Sequence, residues 1–167
     1  MPIQRIYLVG FMGAGKSTVG RELSLKLGWP FLDLDAEIEK SRKLPVREIF
    51  AQFGEPHFRQ LEREHLQRIS GTPQAIIALG GGAYIDPENR AVVDATGVAV
   101  WLNASLASVK ERVRPDGTRP LLADAERARQ LYTERLPAYR LARIHVLTDN
   151  RLPDAIAEEI VQRVANL

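Results

Sequence analysis

The sequence predicts an α/β fold in which helices pack on a parallel sheet. Five short apolar runs rich in β-branched residues, at 6–9, 31–34, 75–79, 98–102 and 144–147, are nearly continuous and not alternating. Strands buried on both faces of a parallel sheet read that way. Stretches of helical periodicity separate the runs, so strand and helix alternate along the chain. A glycine-rich segment also leaves the first run and enters the first helical stretch.

Each element has its own signal. Val19, Leu23 and Leu27 recur every four residues and Gly28 follows, which predicts a first helix over 16–27 ending in a left-handed glycine. Val46, Ile49, Phe50 and Phe53 form a stripe that starts after Pro45 and stops at Gly54. A second stripe runs through Phe58, Leu61, Leu66 and Ile69. These two helices lie between strands two and three with no strand of their own. The expectation is a substrate-capping insertion outside the layer packing. Residues 113–120 are polar and bracketed by prolines, as in a mobile loop, and a helix begins near Asp124. Pro153, Ile156, Ile160, Val164 and Leu167 mark a closing amphipathic helix.

The 167 residues fit one domain spanning 1–167. Hydrophobic residues make up 45% and charged residues 26%, so disorder and collagen-like repeats are excluded. There is no cysteine, which removes disulfides, thiolate metal sites and cysteine nucleophiles, and makes a reducing, cytoplasmic compartment the expectation. No apolar run approaches the ~18 residues of a membrane span. A formal charge of +2 is too small to mark a nucleic-acid binder, and no aromatic-interleaved basic run is present.

Gly10-Phe11-Met12-Gly13-Ala14-Gly15-Lys16-Ser17 fits G-x-x-x-x-G-K-[ST] in its required setting, after a strand and before a helix. Backbone N–H groups of such a loop turn inward around phosphate oxygens, and the helix N-terminus adds positive potential. Lys16 then reaches the terminal phosphates and the Ser17 hydroxyl ligates Mg²⁺. Nucleoside triphosphate binding is the expectation.

An acceptor side is legible further on. Asp33 and Asp35 end the second predicted strand, where open α/β sheets place ligands. One carboxylate could serve the Mg²⁺ shell and the other an acceptor hydroxyl; the plain alternative is that Asp35 caps a helix. Arg59 precedes Glu62 by three residues, which fits either a ligand-binding arginine or a surface ion pair. Gly80, Gly81 and Gly82 follow strand three and would let a ligand approach bare backbone N–H groups. Arg119 and Arg135 offer two more guanidiniums to an anionic pocket. His57, His65 and His145 lack metal spacing, and Trp29, Trp101, Tyr132 and Tyr139 read as packing residues.

The ordered set resembles the shikimate kinase family over nearly the whole chain. The matching stretches are residues 10–18, Asp33 and Asp35 with Glu37-Ile38-Glu39, Ile49 to Arg59 with Glu62, Leu79 to Gly82, Arg119-Pro-Leu-Leu122, and Arg135 with Tyr139. The resemblance implies a three-layer α/β/α fold with a five-stranded parallel sheet of order 2-3-1-4-5. It also implies ATP-dependent phosphorylation of the 3-hydroxyl of shikimate, the fifth step of the chorismate pathway, with Mg²⁺. By position it makes Lys16, Asp35 and Arg119 catalytic, and it puts Gly13, Ala14, Gly15, Lys16, Ser17, Thr18, Arg112, Arg119 and Arg151 on ATP. Asp35, Arg59, Gly80, Gly81, Gly82 and Arg135 fall on shikimate, the two arginines 59 and 135 on its carboxylate. Ser17 holds Mg²⁺, with Asp33 acting through a water. The substrate-binding region is about 33–61 and a mobile lid about 113–123. Shikimate and ATP are the implied partners, with no nucleic acid and no membrane. A monomer is expected because one chain supplies every site residue. A gluconate kinase of the same architecture would not need two arginines and a triple glycine, and an ATP sensor without transfer would not need Asp35 or the acceptor arginines.

Overall fold

The computed structural model describes residues 2–112 and 124–167. Its core is a five-stranded sheet of order β2-β3-β1-β4-β5, every neighbouring pair parallel. The strands are β1 (Arg5–Val9), β2 (Phe31–Asp33), β3 (Ala75–Ala78), β4 (Val98–Asn103) and β5 (Ile144–Leu147). The helices are α1 (Lys16–Leu27), α2 (Leu34–Arg42), α3 (Val46–Phe53), α4 (Glu55–Ile69), α5 (Pro87–Thr96), α6 (Leu106–Arg112), α7 (Ala125–Tyr139) and α8 (Pro153–Ala165), with a 3-10 turn at Ala83–Ile85.

The central strands carry the apolar runs and are buried throughout, from Ile6, Leu8 and Val9 in β1 to Ile76 and Ile77 in β3 and Val98 to Leu102 in β4. β5 departs from that pattern. As an edge strand it alternates, with Ile144 and Val146 buried and His145 and Leu147 exposed. α1 buries Val19 and Leu23, and Gly28 ends it in the left-handed region at φ 67°. Leu23 is fully buried, so Leu23→Ala would cost about 3 kcal/mol.

Register explains how the site assembles. Leu8 pairs with Ala78, and Ala78 with Asp33, so β1, β3 and β2 end in one row across the sheet. The residues two positions beyond that row are Gly10, Gly80 and Asp35. Phosphate loop, glycine turn and acidic helix therefore leave the same carboxyl edge of the sheet, where open α/β folds bind ligands.

Three expectations are corrected. β2 stops at Asp33, and Leu34 and Asp35 already belong to α2, so the two aspartates do not end one strand together. The physical cause is capping: Asp33 is extended and its Oδ1 accepts from the Ala36 N–H at 3.1 Å, which starts the helix there and leaves Asp35 inside its first turn. Second, α4 does not stand outside the layers. It contributes Phe58, Leu61, Leu66 and Ile69 to the common core and packs against α2, α3 and α5. Third, Phe53 of the α3 stripe is 54% exposed and meets the His57 ring at 5.0 Å, while Ile49 is the buried anchor.

Candidate active site

The phosphate loop is shaped by backbone that other residues avoid. Gly13 and Gly15 have φ of 78° and 99°, and Gly15 caps α1 without any side-chain bond. The first-turn N–H groups of α1 are thereby left for a ligand's oxygens, with the helix dipole behind them. Ala14 closes the loop by donating to Phe11 O at 3.1 Å. Lys16 folds back over it, Nζ donating to Gly10 O at 2.6 Å and Phe11 O at 3.0 Å. Ser17 Oγ donates to Asp33 Oδ2 at 2.9 Å, and exposed Thr18 follows in the helix. A hydroxyl beside a carboxylate is an all-oxygen donor set. It suits Mg²⁺, which takes few protein ligands and keeps its waters.

On the other flank of the loop, Arg112 donates to Ala14 O at 3.2 Å and to Thr148 O at 3.1 Å. Arg151 donates to Leu147 O at 2.8 Å and pairs with Glu159 at 2.7 Å. With Ser108, Glu111, Asn150 and Leu152 the two arginines line a cleft of about 290 Å³.

The glycine turn is the floor of the acceptor side. The three glycines make room for the protein's own charged side chains. A Cβ at Gly80 would lie 2.8 Å from Asp35 Oδ1, one at Gly81 2.8 Å from Arg135 Nη1, and one at Gly82 2.5 Å from Arg59 Nη2. One carboxylate and two guanidiniums from α2, α4 and α7 thus converge on a single turn.

Arg59 is fixed from behind. Arg59 donates from Nη1 to Glu62 at 2.6 Å and reaches Glu55 at 3.3 Å. Its guanidinium lies over Phe58 and Phe50, 5.5 and 5.9 Å from the ring centroids. Glu62 is 1% exposed, so the pair is no surface ion pair. Burial opposes the Arg59 charge, but Glu62 and then Glu55 outweigh it and raise the pKa. Burial also pushes the Glu62 carboxyl up to about 7 despite Arg59. Arg135 is 9% exposed and sits over Phe11 of the phosphate loop at 5.9 Å. Burial, helped by Asp33 and opposed by Lys16, holds Asp35 at about 6.

Asp35 Oδ1, Glu62 Oε2 and Arg135 Nη1 are buried without a hydrogen-bond partner. Buried polar atoms are normally satisfied, so three around one turn indicate a site built for a polar ligand. From its spacing Glu62 reads in the sequence as one half of an ion pair with Arg59, and Tyr139 reads as a packing residue, with both among the residues that carry the resemblance; Phe11 has no role there beyond its place in the phosphate-loop motif. The spacing Arg59-x-x-Glu62 was the available signal. Arg119 and segment 113–123 lie outside the described residues.

A phosphate loop and a charged acceptor pocket on one sheet edge define a P-loop kinase acting on a small molecule. The profile of the shikimate kinase family matches residues 12–165. The chain is 40% identical over 163 residues to the shikimate kinase of Sulfurihydrogenibium sp. (strain YO3AOP1), covering 97% of this chain and 98% of that one. It superposes on the shikimate kinase from Acinetobacter baumannii in complex with shikimate with a TM-score of 0.94 and 35% identity, covering 98% and 94% of the two chains. The Aquifex aeolicus shikimate kinase gives a TM-score of 0.87 at 35% identity, covering 97% and 96%. This chain belongs to the shikimate kinase family.

Proposed function

We infer that the chain transfers the γ-phosphoryl group of ATP to the 3-hydroxyl of shikimate, giving shikimate 3-phosphate, ADP and a proton, the fifth step of the chorismate pathway. The observation that carries this reading is the convergence of Asp35, Arg135 and Arg59 on Gly80 to Gly82. Two guanidiniums match a carboxylate and one carboxylate matches a hydroxyl, the two chemistries that an acidic polyol presents.

The division of labour follows from phosphoryl transfer itself. The acceptor oxygen bonds to Pγ as the bond from Pγ to the β-γ bridging oxygen breaks, in line, so the protein's work is positioning and charge neutralisation. Gly13, Ala14, Gly15, Lys16, Ser17 and Thr18 cradle the phosphates, and Lys16 neutralises charge on the transferring group. Ser17, and Asp33 through a water, would hold Mg²⁺. Bound there, the ion would neutralise charge on the β- and γ-phosphate oxygens. Arg112 and Arg151 lie on the adenine side. Arg59 and Arg135 bind the shikimate carboxylate and the glycine turn supports them. Asp35 accepts a hydrogen bond from the 3-hydroxyl and takes up its proton late in a loose transition state. Arg119, by its match to the family pattern, would neutralise charge on the phosphates as well. All these residues come from one chain, which supports a monomeric enzyme; we place it in the cytoplasm. Among the described residues no helix is long and apolar enough to cross a membrane.

The test is ADP release with Mg-ATP and shikimate, quinate or gluconate, against a blank without acceptor and a Lys16→Ala control. The expected result is turnover with shikimate that the Lys16 variant abolishes. ATP binding without shikimate turnover would overturn the reading.

A further inference from the structure

Behind the acceptor pocket stands a tyrosine that the mechanism above does not use. Tyr139 closes α7 at 1% exposure, and its ring stacks on Trp101 with centroids 6.1 Å apart. Packing would account for the ring, but not for the hydroxyl. The hydroxyl donates to Gly81 O at 2.5 Å, the middle carbonyl of the turn that seats the three charged side chains. Burial, partly offset by Arg135, pushes the phenol up to about 12, so it keeps its proton and serves as a donor at neutral pH.

Position adds to this. Tyr139 follows Arg135 by four residues in α7, so the two lie on one helix face. At Gly81 three parts of the site meet: a Cβ there would lie 2.8 Å from Arg135 Nη1, 3.5 Å from Met12 N of the phosphate loop and 3.8 Å from the Tyr139 hydroxyl. The peptide plane is rigid, so a bond to Gly81 O also fixes the direction of the Gly82 N–H. Arg135 itself has a buried Nη1 with no hydrogen-bond partner, and its guanidinium faces the Phe11 ring and the Tyr139 phenol, whose oxygen can accept from it. The hydroxyl that holds the Gly81 carbonyl therefore also lies against the arginine.

We propose that Tyr139 is a positioning residue for recognition of the acceptor's carboxylate: by holding the Gly81 carbonyl it keeps the glycine turn against α7, and so keeps Arg135 where it can take a carboxylate oxygen. The inference rests on the reading of Arg135 as a carboxylate ligand. It assigns the phenol a part in specificity, with no contact to the reacting atoms.

Tyr139→Phe keeps the ring and removes the bond. Steady-state kinetics at saturating Mg-ATP would compare shikimate with its methyl ester, whose carboxyl is uncharged. Freeing a buried carbonyl and loosening one charged ligand should raise the KM for shikimate roughly tenfold, the equivalent of about 1.4 kcal/mol. The kcat should stay within about twofold and the KM for ATP should not move. The preference for shikimate over the ester should fall by the same factor as KM rises. In an Arg135→Lys background the tyrosine change should add little, because both act on one contact. A tyrosine that only packs would lower the melting temperature and leave the acid-over-ester preference intact; that result overturns the proposal. Should Tyr139→Phe not fold, Gly81→Ala pushes Arg135 from the turn side. It should then raise the shikimate KM with ATP binding intact, and an unchanged KM overturns the proposal. Wild-type protein without shikimate turnover would instead remove the functional reading, and the inference with it.

Discussion

Gly82→Ala separates the acceptor site from the fold. Gly82 has φ −96° and ψ −10°, a conformation any residue adopts, so alanine adds no backbone strain. What it adds is a methyl group 2.5, 2.7 and 2.8 Å from Nη2, Nη1 and Cζ of Arg59. Ordinary contact between carbon atoms begins near about 3.5 Å, so the guanidinium must retreat by roughly 1 Å. It is the far end of a flexible side chain and 22% exposed, and it can yield. The cost to the fold should therefore stay within about 1 kcal/mol. The cost to binding is larger. A retreat of that size breaks the geometry of a charge-assisted contact worth about 1.5–3 kcal/mol, which is roughly 10- to 100-fold in KM for shikimate. The 2.6 Å bond to Glu62 limits how the arginine can compensate. The assay is steady-state kinetics with shikimate varied at saturating Mg-ATP, beside a thermal melt of both proteins. A folded variant whose shikimate KM stays within twofold of wild type would refute the assignment of Gly82 as the seat of Arg59.

Three further outcomes are expected. Asp35→Asn should keep the fold and lower kcat by at least roughly 100-fold, since it removes the acceptor of the hydroxyl proton; wild-type turnover would remove both a base and an orienting role. Glu62 titrates near 7 when folded and 4.5 when unfolded, so between those values the folded state holds a proton the unfolded chain has lost. Its contribution to stability of the ligand-free protein therefore falls as pH rises across that window, and Glu62→Gln should flatten the pH slope of the melting temperature; Asp35, shifted the same way, leaves a residual slope. An unchanged slope would show that Glu62 does not titrate there. Arg119→Ala should depress kcat far more than shikimate affinity, measured by kinetics and by direct binding, and an unchanged kcat would end its role on the phosphates.

Strand positions, the bounds of α1 and α3 and the phosphate loop were legible because local signals set them: apolar runs, four-residue spacing, a terminal glycine. The β2–α2 boundary was not. Leu32 and Leu34 alternate with aspartates as a strand would, and only the Asp33 side chain turning to the Ala36 N–H decides that the helix wins. The exclusion of α4 from the layers failed for a related reason. Leu61, Leu66 and Ile69 mark a buried stripe, but a stripe does not say against which layer it packs. The candidate site was read residue by residue, and its organisation was not. Nothing in Gly80-Gly81-Gly82 says that each glycine is matched to one charged side chain brought from 45 residues earlier, 54 later and 23 earlier in the chain.

That matching explains why three glycines occur in a row at a place where none has φ in the left-handed region. Chain flexibility is therefore not what the turn supplies. It supplies a surface low enough for Asp35, Arg135 and Arg59 to lie side by side, and the sheet register brings it level with the phosphate loop. The charges that converge there are poorly satisfied by the protein itself, with Asp35 Oδ1, Glu62 Oε2 and Arg135 Nη1 buried and unbonded. Such atoms destabilise the empty fold by a few kcal/mol together. An acidic polyol, with hydroxyls for the carboxylates and a carboxylate for the guanidinium, would regain that energy on binding, and a neutral one would lack the charged partner for Arg135 Nη1. A discrimination built this way would rest on groups left unpaired when the wrong acceptor enters, a stronger basis than fit alone.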